Sequence, residues 1–148
     1  MSTGQSGVTL IEVLVALLVL AVGVLGVALL QVSALKQTDS AMRSTQVSFI
    51  AHDLMERMRA NPEAHYTLSS LNQAPTAGNP DVPRDQDLFD FADQLKRAVG
   101  ENVQASVQMV GGQATVNLEW SDARAQGEAA QARQTLTLTS LIGPQGQR

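Results

Sequence analysis

The chain has 148 residues, a mass of 15.7 kDa and a net charge of −4, and it contains no cysteine. That length suits one domain. The acidic balance argues against a protein that grips nucleic acid, which needs clustered basic residues. The missing thiols exclude disulfides, thiolate zinc sites and cysteine nucleophiles together.

The first element in chain order is a greasy one. From Val13 to Leu30, 18 consecutive residues are drawn only from Val, Leu, Ala and Gly. As a helix this run is roughly 27 Å long, close to the roughly 30 Å hydrocarbon core of a bilayer. All 10 basic residues and 13 of the 14 acidic ones lie from residue 33 onward. A membrane-length stem and a polar remainder argue against a soluble cytoplasmic enzyme. A secretory signal would place its cleavage site at Val32-Ser33-Ala34, but residues 1–7 carry no Lys or Arg and the apolar run exceeds an h-region. A plain anchor accounts for the length and leaves Glu12 to be explained, since a carboxylate in hydrocarbon costs a few kcal/mol, less near a helix end. One local reason is available: Thr9-Leu10-Ile11-Glu12 has capping-box spacing, and negative charge suits a helix start.

The whole string Gly7-Val8-Thr9-Leu10-Ile11-Glu12-Val13-Leu14-Val15-Ala16-Leu17 resembles the class III signal of type IV pilins and type II secretion pseudopilins. The resemblance implies cleavage between Gly7 and Val8 by a prepilin peptidase, and methylation of the new terminus at Val8. It also implies an assembly role for Glu12 as the fifth mature residue. Two positions depart from the family pattern: Val8 stands where Phe or Met is usual, and the leader has no basic residue. Lys36 and Arg43 follow the span and no basic side chain precedes it, so charge alone does not orient it. The resemblance implies an inner-membrane protein with everything from about residue 33 in the periplasm.

Helical patterning continues beyond the span. Leu35, Met42, Ile50, Leu54 and Met58 recur near one face, with Val47 and Phe49 beside them. Asn61-Pro62 ends the helix, which is predicted over about 9–60. Residues 62–84 hold Pro62, Pro75, Pro80 and Pro83 and read as a surface connection. A short helix is predicted from Asp85 to Val99, with Leu88, Phe91, Ala92, Leu95 and Val99 on its apolar face and Gly100 as its stop. The period then changes to two. Val103, Ala105, Val107 and Met109 alternate with polar residues, as do Ala114, Val116, Leu118 and Trp120 after Gly111-Gly112. A two-residue Gly-Gly hairpin pairs 110 with 113, so Met109 faces Ala114, Val107 faces Val116, Ala105 faces Leu118 and Val103 faces Trp120. Residues 122–132 read as a loop, Thr135–Leu141 as a third strand, and the tail from Gly143 as loose.

Arg57-Met58-Arg59-Ala60-Asn61-Pro62, and Trp120-Ser121-Asp122 with Arg124, resemble the PilV-type minor pilins. The expected fold is therefore α+β and pilin-like: a long amino-terminal helix packed on a small antiparallel sheet of about three or more strands. The expected organisation is a leader at 1–7, a transmembrane and assembly helix at 8–32, its amphipathic half at 33–61, and a periplasmic head at 62–148. The implied function is a minor pilin that helps to initiate or cap type IV pilus assembly. Its partners would be other minor and major pilins, prepilin peptidase and the inner-membrane assembly machinery. The alternatives are a minor pseudopilin of a type II secretion system and an anchored periplasmic binding protein. No enzyme activity, cofactor, metal or nucleic-acid partner is expected. Tested as an EF-hand from Asp85, the acidic stretch fails: Asp90 replaces the required Gly and Lys96 the closing Glu. His52 and His65 have no third ligand in view, and Trp120 reads as a core anchor. No nucleophile elbow, P-loop or dinucleotide fingerprint is present.

Overall fold

The computed structural model describes residues 9–122 and 133–143. The chain divides into two compact units, Met1–Thr38 and Asp39–Arg148, and the first helix contributes to both. That helix, α1, spans Leu10–Ala60, as its uninterrupted run of helix formers and the Asn61-Pro62 stop require. In the first unit its apolar side chains are exposed, Leu10, Leu18, Leu20 and Leu30 among them.

The second unit supplies the core. Val47, Ile50, Ala51, Leu54, Met55 and Met58 of α1 are buried, at spacings of three and four that define one helix face. This corrects the expected stripe. Ile50, Leu54, Met58 and Val47 belong to the core, whereas Leu35, Met42 and Phe49 are exposed. The seven-residue steps 35, 42 and 49 describe a real line on the helix, on the side turned away from the core.

The second helix, α2, spans Pro83–Val99, starting two residues before the expected Asp85. Pro83 opens it, where the missing N–H costs nothing. Gly100 closes it at φ 97°, a left-handed value that favours glycine. Leu88, Phe91, Ala92 and Leu95 are buried, and Val99 is half-buried against them.

Three antiparallel strands follow in the order β1-β2-β3: β1 Gln104–Val110, β2 Gln113–Ser121 and β3 Arg133–Leu141. The hairpin register matches the expected one through Met109↔Ala114, Val107↔Val116 and Ala105↔Leu118. Gly111 and Gly112 turn the chain at φ 59° and 79°, the double positive φ of a type I′ turn. Val103 lies outside the ladder, which ends at Gln104↔Glu119, although Val103 and Trp120 are both buried. β3 begins two residues earlier than Thr135 and pairs with β2 along its whole length. The loop expected at 122–132 lies outside the described residues except for Asp122, as does the tail beyond Gly143.

The stretch at 62–84 is more than a surface connection. Tyr66, Leu68 and Leu71 are buried, and a short 3-10 turn forms at Leu71–Gln73. Leu68 and Val107 exchange both backbone hydrogen bonds, at 2.9 and 2.8 Å, which ties this segment to the outer edge of β1. Proline content flagged the connection as irregular; three of its apolar residues, Tyr66, Leu68 and Leu71, nevertheless lie in the core.

Candidate functional site

Glu12 is the only charged side chain among the first 35 residues. It sits in the first turn of α1, flanked by exposed Leu10, Ile11, Val13 and Leu14. The Glu12 N–H donates to the Thr9 carbonyl at 2.9 Å, and the Val13 N–H donates to the same oxygen at 3.3 Å. The reciprocal side-chain bonds of a capping box are absent among the described residues, so the local account of this carboxylate lacks its geometry. Gly7 and Val8, the expected cleavage and methylation positions, lie outside the described residues.

The helix after Glu12 is long and apolar enough to cross a membrane, and none of its apolar window is buried by the chain itself. A Cβ placed at Gly23 or Gly26 would meet nothing within 4 Å. Glycine costs about 1 kcal/mol against alanine in a helix. The chain's own packing gives no reason for either residue.

In the second unit, polar chemistry serves construction. The Arg57 guanidinium reaches Asp53 at 2.8 Å on its own helix, and Asp87 and Asp90 of α2 at 3.0 and 3.1 Å. The buried Tyr66 hydroxyl donates to Asp87 at 2.6 Å and accepts from the Asn61 amide at 3.4 Å. Arg57 is raised above its ordinary value, first by its hydrogen bond to Asp87. Burial, then the hydrogen bond to Asp87, pushes the Tyr66 hydroxyl up to about 12. At the far end of the core, Ser40 of α1 donates to Asp122, the one buried charged residue among those described. Sequence reading placed Arg57 and Asp122 in motifs without finding these partners, because the pairs join residues 30 and 82 positions apart.

His52 and His65 are exposed, and Trp120 is 4% exposed, in the core as expected. The indole Nε1 is buried without a partner among the described residues. No group of three His, Asp or Glu side chains able to hold a metal forms among the described residues.

Two family models match, end to end. Residues 2–28 match the prokaryotic N-terminal methylation motif, and residues 29–81 match Type IV pilin Tt1218. No curated protein and no solved structure matches the chain. The two matches join the unpartnered stem of α1 to the helix that crosses the core, and the PilV subtype has no counterpart among them. With its long apolar helix and three-stranded antiparallel sheet, the chain is a type IV pilin-like protein with a prepilin-type methylation motif.

Proposed function

We propose that this chain is a minor pilin, made as a single-pass inner-membrane precursor, that helps to initiate or cap a type IV pilus. Residues 1–7 are the leader, removed by prepilin peptidase between Gly7 and Val8, and Val8 is then methylated. Residues 8–32 hold the protein in the membrane until assembly, 33–61 continue the helix, and 62–148 complete a periplasmic head. The observation that carries this reading is the methylation motif at residues 2–28, which runs into an apolar helix whose side chains are exposed.

Glu12 acts in the extraction step. Cleavage exposes an ammonium at Val8, and Glu12 of one subunit pairs with the ammonium of its neighbour inside an apolar bundle. Two unit charges 4 Å apart attract by about 4 kcal/mol at an effective dielectric of 20. An unpaired subunit forgoes that attraction and keeps the burial cost, so the pair selects one register. The head selects the partner, and the chain is assigned no chemical reaction.

The test is the intact mass and amino-terminal sequence of the membrane-extracted protein, with and without prepilin peptidase. A start at Val8, about 14 Da heavy for one methyl group and lost without the peptidase, supports the reading. A start at Leu35 would mean a secreted domain and would end the Glu12 mechanism. A pseudopilin would share the stem chemistry. Loss of the gene would then abolish type II secretion while leaving pili in place.

A further inference from the structure

Within the second unit, the first turns of α1 are held less firmly than the turns that follow. Residues 39–46 read Asp-Ser-Ala-Met-Arg-Ser-Thr-Gln, and four of these eight are Asp, Ser or Thr. Such side chains compete for backbone groups and favour caps and turns over helix interiors. Thr45 does so here: its hydroxyl donates to the Ala41 carbonyl at 2.9 Å, a bond that slightly weakens and bends a helix. The Asp39–Arg43 ion pair, at 3.2 Å, is also internal to the helix. None of the eight residues is buried. Asp39, Ser40, Arg43 and Ser44 are half-buried, and the other four are exposed. From Val47 onward the core fixes every turn, through Val47, Ile50, Ala51, Leu54, Met55 and Met58.

Among the described residues, one side-chain bond leaves this run for another element. The Ser40 hydroxyl donates to Asp122, 82 positions away and just past the end of β2. Asp122 is 4% exposed. A carboxylate buried that deeply depends on its donors, because removing a partner leaves it with the desolvation penalty uncompensated.

We propose that Ser40 and Asp122 form a latch that sets how far along α1 the second unit grips its own helix. With the latch closed, the grip begins at Ser40. With the latch released, it begins at Val47, roughly 10 Å further along at 1.5 Å per residue. Residues 39–46 then rely on their own helical preference, and an unpacked stretch of that length and composition is marginal. They become a joint in an otherwise continuous helix. The latch lies wholly within the second unit and does not rest on the filament reading.

The test is amide hydrogen exchange on the full chain in detergent micelles, read at residues 43–47. In a helix these amides bond to the carbonyls of residues 39–43. Ser40→Ala is expected to speed their exchange roughly fivefold or more, while the amides of Leu54, Met55 and Met58 stay within about twofold of the parent. Alanine has the higher helix propensity, so a Ser40 that served only the helix would give the opposite sign. Asp122→Ala is expected to act on the same amides to the same degree, and the double variant to go no further than either single change. Trypsin cleavage after Arg43, which needs local opening of the helix, is expected to quicken in both variants, with cleavage after Arg57 as slow as in the parent. Amides at 43–47 that are unchanged or slowed in Ser40→Ala would overturn the proposal. Equal speeding at Leu54 and Met58 would overturn it too, as a general loss of stability, and so would additive effects in the double variant. Ser40→Ala settles the question alone where Asp122→Ala does not fold.

Discussion

Glu12 and Arg57 are both charged, and their surroundings give them opposite tasks. Arg57 is paired within the chain on three sides, whereas Glu12 has no side-chain partner among the described residues. Replacing Arg57 with Gln would leave Asp87 and Asp90 facing each other beside a buried tyrosine. The expected cost is about 1–3 kcal/mol of stability, measured by denaturant unfolding of the micelle-bound chain. Replacing Glu12 with Gln is expected to leave that stability unchanged and to lower the amount of protein in sheared filaments at least tenfold, read by immunoblot. Normal incorporation would remove Glu12 from the assembly step. Tyr66 adds a pH dependence with a definite sign. Its hydroxyl ionises near 10 when unfolded and is pushed up to about 12 in the fold. Its contribution is whole below pH 10 and is lost as the pH rises toward 12. Melting temperature is therefore expected to fall across that window, and Tyr66→Phe to flatten this part of the decline.

At the scale of elements, the last third of α1 separates a core face from an outer one. Leu54 is 1% exposed and Phe49 71%, five residues apart on the same helix. Leu54→Ala is expected to cost 2–5 kcal/mol, in the usual range for a truncated core leucine, roughly 2.7–5 in a well-studied series. Phe49→Ala is expected to change stability by no more than about 0.5 kcal/mol. Chemical denaturation of the two variants side by side checks both. The Phe49 result also bears on the expected stripe, which joined Leu35, Met42, Ile50, Leu54 and Met58 into one face. Spacings of seven and eight suited a helix stripe, but the burying surface is set by α2 and the sheet, and these select the steps 47, 50, 51, 54, 55 and 58. The β-hairpin was easier to read. Its two glycines mark the turn, and alternation on both sides admits one register, because a slip of one residue would put Val107 and Val116 in water.

At the scale of the molecule, the second unit owns its core. Among the described residues, every buried apolar one lies from Val47 onward, within the second unit. A fragment starting at Asp39 is expected to fold cooperatively without detergent, with the Tyr66 transition intact, as circular dichroism during thermal and alkaline titration would reveal. Aggregation or non-cooperative melting of that fragment would show that the stem contributes to the fold. The stem has the complementary property: it is helical by composition and buries nothing of its own. Most helical stability in proteins comes from packing an amphipathic face. A helix apolar on all sides therefore needs lipid or other helices around it.

The stem, the lone carboxylate, the helix stop at Asn61-Pro62, α2 and the hairpin register can be read from the amino-acid order. These depend on composition, on punctuation by proline and glycine, and on periods of two and 3.6, all of which are local. Packing in three dimensions sets which face of α1 is covered and brings Tyr66, Leu68 and Leu71 into the core from a proline-rich connection. It also gives Arg57 and Asp122 partners far along the chain, and closes one sheet edge with Leu68. Each of these is a contact between residues distant in sequence, and burial there follows from which surfaces meet, which no local pattern encodes.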